Sequence, residues 1–289
     1  MIRRFVTLSI GVVLALSMSG SPGAQQGKAA PDLDGTPDLL VRKDMLGGQW
    51  VVRTERLSAN ACSVIEGDIT PGDRLLVRFT VGVANVGDAD IYIGNPQDHV
   101  DAGDGLFEFA LCHQHYHFRN YAKYELIHPA TGTVWRAAKR GFCMLDTDPN
   151  PAWLSGAPGP GFYRSCGSTG HAGNQGISAG WTDTYRFFLG GQYFVLDGGD
   201  GQAAVPPGKY IIRITANPPF TPGAGEPCPY QDAAGSCHML PESNYTNNVA
   251  ETEIVIPAHP GRGAVGPLSD AALVAEPRTC PAKDNDKNE

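Results

Sequence analysis

Three of the eight histidines fall in the stretch Cys112-His113-Gln114-His115-Tyr116-His117 at strict two-residue spacing. Successive side chains of an extended strand point to opposite faces, so this spacing puts His113, His115 and His117 together and Gln114 and Tyr116 on the other side. Same-face neighbours are then ~7 Å apart at the backbone, and inward-pointing rings can converge on one ion. A row of titrating side chains has no packing value, so the pattern points to a metal centre rather than a histidine-rich surface strand. Neutral imidazole suits copper, zinc and iron, and spacing alone leaves the choice open.

The frame that must hold this strand reads as β. Leu75, Val77, Phe79, Val81 and Val83 alternate with a more polar set, and Asn85-Val86-Gly87-Asp88 turns into a second strand at Ile91-Tyr92-Ile93. Residues 107–124 carry the histidine strand and its continuation, and 124–127 pairs with Val134-Trp135 across a turn at Ala130-Thr131-Gly132. Residues 147–165 are rich in Pro and Gly and read as a long irregular loop, whereas 181–188 reads as strand or distorted turn. Phe194-Val195-Leu196 is a short apolar run. Tyr210, Ile212 and Ile214 share a face, as do Ala250, Thr252, Ile254 and Ile256 near the end. Residues 218–241 form an excursion in which a Cys228–Cys237 disulfide would close a small ring. No 3.6-residue period is sustained over ~15 residues, and 36 glycines and 23 prolines favour turns over long helices. The expected fold is mainly β: a single β-rich, sandwich-like domain over residues 37–257 with long irregular loops and little helix. Residues 25–36 read as a flexible lead-in and 258–289 as a polar, Pro/Gly-rich tail.

The first 24 residues have the form of a secretory signal: Arg3-Arg4, an apolar run from Phe5 to about Met18, then small residues through Ala24. No other stretch reaches membrane-spanning length, so the mature chain is expected to be extracytoplasmic, secreted or periplasmic, and free of the membrane. The formal charge of −8 becomes −10 once the two arginines of residues 1–24 are removed. That balance argues against nucleic acid as a partner and is compatible with a cationic substrate. Seven cysteines occur, at 62, 112, 143, 166, 228, 237 and 280. In an exported chain they are disulfide candidates with one left over, and the absence of a CxxC pair argues against a zinc ribbon.

Further along stand Lys139 in Lys139-Arg140-Gly141-Phe142-Cys143, Tyr185 closing Trp181-Thr182-Asp183-Thr184-Tyr185, Pro207-Gly208-Lys209-Tyr210 leading to Asn217-Pro218, and Glu242-Ser243-Asn244-Tyr245-Thr246-Asn247-Asn248. Taken with the histidine stretch, this set resembles the catalytic domain of the lysyl oxidases from about Pro37 to Ile256. The tail and the 218–241 excursion fall outside the resemblance. The likeness implies a copper-dependent amine oxidase. It would use O2 to turn primary amines, peptidyl lysine or small amines, into aldehydes with release of ammonia and hydrogen peroxide. His113, His115 and His117 occupy the copper positions, and Cu(II) suits imidazole. Lys139 and Tyr185 occupy the positions that crosslink into lysine tyrosylquinone, a cofactor made from the protein's own side chains. Only a redox metal can make that tyrosine into a cofactor, so copper becomes the choice.

Other positions follow from the likeness. Asp183, two residues before Tyr185, would share its direction on an extended chain and serve as base or orienting group. His171 matches a family histidine near the site, and Lys123 stands where animal members carry a histidine. A Ca²⁺ site is implied at Asp38, the Leu39 carbonyl, Glu242, Asn244, Asn247 and Asn248, all hard oxygen donors. Asn244 replaces an aspartate, which weakens that site. The likeness also implies a Cys112–Cys166 disulfide anchoring the histidine strand to the loop before Tyr185. Cys62 and Cys143 are left to pair with each other or one with Cys280. Two other readings compete: a non-enzymatic secreted copper-binding β-domain, and a structural β-sandwich with incidental metal.

Overall fold

The computed structural model describes residues 30–66, 68–139, 141–150, 161–223, 227–258 and 263–270. The signal-like segment, Arg140, most of the Pro/Gly loop and Cys280 lie outside the described residues. In chain order the first strands are β1 (Leu39–Val41), β2 (Trp50–Leu57), β3 (Gly72–Phe79), β4 (Val81–Asn85) and β5 (Ile91–Gly94). They are followed by β6 (Phe107–Ala110), β7 (His115–Phe118), β8 (Ala122–Ile127), β9 (Val134–Arg136), β10 (Asp148–Pro149), β11 (Gln175–Ile177) and β12 (Trp181–Tyr185). The last are β13 (Tyr193–Val195), β14 (Gly208–Ala216), β15 (Tyr230–Gln231), β16 (Cys237–His238) and β17 (Val249–Ile256). The helices are short: α1 (Lys43–Gly48), α2 (Cys62–Ile65) and α3 (Pro96–Ala102).

The protein is thus mainly β, built of small antiparallel sheets. Strand orders are β1-β4-β12-β10, β13-β3-β2 and β17-β14-β8-β9, with two-stranded pairs β5–β11, β6–β7 and β15–β16. The alternation read in 209–216 is realised in β14, where Tyr210, Ile212, Ile214 and Ala216 are fully buried and the intervening residues are not. The expected partnership of 124–127 with Val134 and Trp135 is the β8–β9 pairing. The run from Leu75 to Ala84 is divided: β3 and β4 belong to different sheets, and Thr80 between them donates its amide to Gln49. One apolar core spans these sheets, with Phe79 stacked on Phe194 at 4.9 Å and edge-on to Tyr124 at 5.4 Å.

Two polar devices inside this core bear on the site. Arg78, 0 % exposed, donates to Glu55 at 2.7 Å and to the carbonyls of Phe187 and Leu189 at 3.1 and 3.0 Å. Arg53 donates to the same Glu55 oxygen at 2.6 Å. Burial pushes the Glu55 carboxyl up, but the two guanidinium groups outweigh it and hold it below the ordinary glutamate range. Asp146 does similar work in the long loop, accepting from the Ser178, Phe162 and Tyr163 amides and the Ser178 hydroxyl at 2.7–3.1 Å. Residues 263–270, read from composition as tail, lie against β2: Val265 bridges Val52, and Gly266 (φ +130) sits on Trp50, where an added Cβ would meet the Trp50 carbonyl at 2.7 Å.

Candidate active site

The histidine stretch is a hairpin rather than one strand. β6 and β7 pair with Ala110 opposite His115 and Glu108 opposite His117, and Leu111–Gln114 form the turn between them. Gln114 takes a positive φ of 60°, so the chain cannot be extended through this point. His113 therefore reaches the site from the hairpin tip, while His115 and His117 reach it from one face of β7, 4 % and 6 % exposed. The facing Nε2 atoms of His115 and His117 are 3.1 Å apart. Two ligands ~2.0–2.1 Å from one ion at a right angle or slightly more lie at about that separation. The His113 ring centroid is 5.6 Å from that of His115 and 5.3 Å from that of His117.

Among the described residues no group of three or more His, Cys, Asp or Glu side chains is drawn together tightly enough to hold a metal ion as it stands. The His113 ring stands farther out, its centroid 5.3–5.6 Å from the other two against 4.9 Å between them. Its Nδ1 is buried without a hydrogen-bond partner and lies 3.5 Å from Glu66, an ion-pair distance. Burial pushes the Glu66 carboxyl up, but His113 beside it and the charge of Lys139 hold it below its ordinary value. The donor set still fits a copper-type ion: two imidazole nitrogens converge, and the third ring, with a nitrogen unspent, stands beside them. Gly141 makes room for the His117 ring: a Cβ there would lie 2.0 Å from its Nδ1.

Lys139 and Tyr185 also meet. The Nζ of Lys139 lies over the Tyr185 ring, 4.7 Å from its centroid, and 5.5 Å from that of Phe142. Gly191, in the left-handed region at φ +72°, packs against the Lys139 backbone. Tyr185 ends β12 and is 1 % exposed. Its hydroxyl donates to the Cys143 carbonyl at 2.7 Å and accepts from the Cys143 amide at 2.8 Å, so a single peptide residue clamps it. Asp183 lies two residues away on the same strand, opposite Val83 as Tyr185 is opposite Val81. It is 1 % exposed with Oδ2 lacking a hydrogen-bond partner. Burial drives its carboxyl well above the ordinary aspartate range, against weaker opposing effects of Tyr121, the Leu145 amide and Lys139. Tyr121 and Tyr124, fully buried nearby, feel its charge and are themselves pushed up, first by burial.

A cavity of about 380 Å³ opens between these groups. Its lining includes His113, His117, Lys139 and Gly141 together with Glu66, Asp68 and Glu108. Three carboxylates therefore line a chamber together with two of the histidines and a lysine. These acids come from the residues just after α2 and from β6, which carry no signal in the sequence beyond ordinary surface charge.

The cysteines depart from the expected pairing. The Cys112–Cys166 disulfide does not form, and neither Cys62–Cys143 nor a link to Cys280 is made by the described cysteines. Cys62 bonds Cys112, and Cys143 bonds Cys166, with Cα atoms 5.4 and 5.5 Å apart. Cys112 is on the hairpin turn facing α2, whereas Cys166 faces the segment that follows Lys139. The 166–167 loop does lie beside the histidine hairpin, but backbone holds it there: the Tyr116 amide donates to Gly167 at 3.1 Å. Cys228–Cys237 forms as expected. His171 is exposed at the tip of a turn closed by its own backbone with Ser168, and Lys123 pairs with Glu125 at 2.7 Å.

Elsewhere in the domain, Asp38 accepts from Asn247 at 3.1 Å, and Glu242 accepts from the Leu39 amide at 2.8 Å and from Asn248 at 2.8 Å. The Oδ1 atoms of Asn247 and Asn248 are buried without partners, so the oxygen donors of this cluster suit a hard cation. Asn244 is turned away, with its Oδ1 spent on the amide and hydroxyl of Thr246.

Comparison with known proteins shows the family. The Lysyl oxidase family profile matches residues 42–250. Protein-lysine 6-oxidase of Rattus norvegicus is 30 % identical over 202 residues, covering 69 % of this chain and 39 % of the rat protein. The Homo sapiens protein of the same name is 29 % identical over 202 residues, 69 % of this chain and 38 % of its own length. Lysyl oxidase homolog 1 of Homo sapiens is 28 % identical over 252 residues, 80 % of this chain and 37 % of its own. The chain thus spans about two fifths of the length of these relatives. The matched segment contains the histidine hairpin, the clamped tyrosine and its lysine, and on this footing the chain belongs to the lysyl oxidase family.

Proposed function

We propose that the protein is a secreted copper-dependent oxidase of primary amines that works through a quinone made from Lys139 and Tyr185. The observation that carries this reading is the approach of the Lys139 Nζ to 4.7 Å from the Tyr185 ring centroid, in a buried setting, with His117 lining the same cavity as Lys139. His113, His115 and His117 would hold copper, which supplies redox chemistry toward dioxygen. Lysine tyrosylquinone, once made, supplies an electrophilic carbonyl for an amine.

The chain's own groups then have definite tasks. The Cys143 peptide fixes the Tyr185 hydroxyl and so the orientation of the ring. Phe142, edge-on to Tyr185 at 5.2 Å, closes one side and keeps water from it. Glu66, Asp68 and Glu108 give the cavity a negative wall, which draws an alkylammonium substrate, peptidyl lysine or a small amine, toward Lys139. Asp183 holds or takes a proton at Oδ2 on the strand that carries Tyr185; its raised proton affinity suits that task.

Export is supported by the signal-like residues 1–24 and by the three disulfides, which persist in oxidising compartments. No helix among the described residues is long and apolar enough to cross a membrane. Asp38, Glu242, Asn247 and Asn248, with the Leu39 carbonyl, would hold Ca²⁺ and tie the start of the domain to its end. The domain proper is taken as residues 37–257, with residues 263–270 docked on its β2.

The test is Tyr185→Phe. The copper-loaded variant is expected to bind copper as the parent does, yet to lose amine-dependent peroxide release and labelling by phenylhydrazine. Peroxide release at the parental rate rejects the quinone assignment. Copper binding with no quinone in the parent itself leaves a metal-binding domain without oxidase activity.

A further inference from the structure

The two halves of the site, the histidine hairpin and the tyrosine clamp, are on separate pieces of chain. His115 and His117 are on β7. Cys143, which clamps Tyr185, is in an irregular segment, and Tyr185 is on β12. The placement of the ring relative to the imidazoles therefore depends on whatever joins β7 to the 142–146 segment.

Gln175, at the start of β11 and 0 % exposed, is in position to do this. Its Oε1 accepts from the Met144 amide at 3.1 Å. Its Nε2 donates to the Tyr116 carbonyl at 2.9 Å and to the Cys166 carbonyl at 2.9 Å. Tyr116 is the residue between the two histidines of β7, Met144 follows the clamping Cys143, and Cys166 is disulfide-bonded to Cys143. One buried amide thus uses both its donors and an acceptor lone pair on three separate backbone segments that surround the site. The backbone ladder alone joins these segments sparsely: Phe118 donates to Phe142, Gly176 to Met144 and Tyr116 to Gly167. A leucine or methionine would fill the same space and leave a buried amide and two buried carbonyls unsatisfied.

We propose that Gln175 is a positioning residue for cofactor formation: it sets the distance and orientation of Tyr185 relative to His115 and His117 by joining the Tyr116, Met144 and Cys166 backbones. The proposal rests on the reading of those histidines and of Tyr185 given above. It assigns Gln175 no contact with substrate, metal or the reacting ring.

Full-length Gln175→Met, close in shape and without the amide, tests it. A remote core variant, Ile214→Val, serves as a comparison for generic loss of stability. Three quantities are read in each protein: copper stoichiometry, the rate of quinone absorbance after copper and air are added, and the fraction of the Lys139 peptide crosslinked to the Tyr185 peptide by mass. Gln175→Met is expected to bind one copper and to form the crosslink ~10- to 100-fold more slowly, the range seen when support behind a metal ligand is removed. Ile214→Val should form it at the parental rate. A parental rate in Gln175→Met overturns the proposal, as does an equal slowing in Ile214→Val. Should Gln175→Met not fold, Gln175→Asn keeps the amide but shortens its reach, and the same slowing is expected. If neither folds, the amide serves the fold as a whole and the positioning role is overturned. Absence of crosslink in the parent protein instead rejects the underlying functional reading, so the two failures are distinguishable.

Discussion

Gly141→Ala is the sharpest small perturbation of the proposed metal centre. A Cβ at this position would lie 2.0 Å from Nδ1, 2.5 Å from Cγ and 2.9 Å from Cβ of His117. Ordinary non-bonded contact between such atoms is ~3.5 Å, so ring and methyl must separate by ~1.5 Å. Metal–nitrogen bonds tolerate deviations of only ~0.2 Å, several-fold less than this displacement. His117 is also confined, being 6 % exposed on a strand paired to Glu108, so the ring cannot swing freely aside. Two effects follow. Overpacking a buried position costs about 1–3 kcal/mol of stability. Copper affinity falls by more than the ~10- to 100-fold typical of a lost supporting contact, because here a ligand itself is displaced. The assay is a copper competition titration with a chromophoric chelator, accompanied by urea unfolding of the metal-free protein. Gly48→Ala is the control, since a Cβ there meets nothing within 4 Å. Parental copper affinity in Gly141→Ala would refute the placement of His117 at the metal.

The remaining predictions concern the frame and the second cation site. Glu55→Gln leaves Arg53 and Arg78 buried without their shared carboxylate and should cost ~3–5 kcal/mol in urea unfolding. The Glu55 carboxyl is held below its unfolded value, so its contribution is present above ~pH 4.3 and is lost as pH falls through the lower folded value. The parent should therefore lose stability on acidification below that point, and this part of the slope should be missing from Glu55→Gln; identical pH profiles reject the account. Ca²⁺ at about a hundred times its Kd should stabilise the parent by ~2.7 kcal/mol, and less so in Asp38→Asn. A Tm unchanged by Ca²⁺ or chelator removes calcium from the description.

Much of the frame was legible because strand burial obeys a period of two. β14 and β17 show it directly, with Tyr210, Ile212 and Ile214 and then Ala250, Ile254 and Ile256 buried. The candidate residues His115, His117, Lys139, Asp183 and Tyr185 stand out in the sequence as types at recognisable separations, and the fold brings Lys139 over the Tyr185 ring. The local pattern failed at His113, because a turn with Gln114 at positive φ replaces the extended chain. It failed also at Arg78, where the burial of a cation depends on Glu55 and two loop carbonyls from distant segments. Disulfide partners were misassigned for a related reason: Cys62 and Cys112 are 50 residues apart, and only the docking of α2 on the hairpin turn selects that pair. Gly141, Gln175 and the acidic wall of Glu66, Asp68 and Glu108 carry no signal along the chain, since each has meaning only through neighbours across space.

In the proposed function Lys139 and Tyr185 become one cofactor. Peptide mapping of copper-loaded, air-exposed protein after phenylhydrazine treatment tests it most directly. A single labelled species is expected, in which the peptide containing Lys139 is covalently joined to the peptide containing Tyr185, and none in protein kept free of copper. Recovery of the two peptides separate and unmodified from copper-replete protein would contradict it.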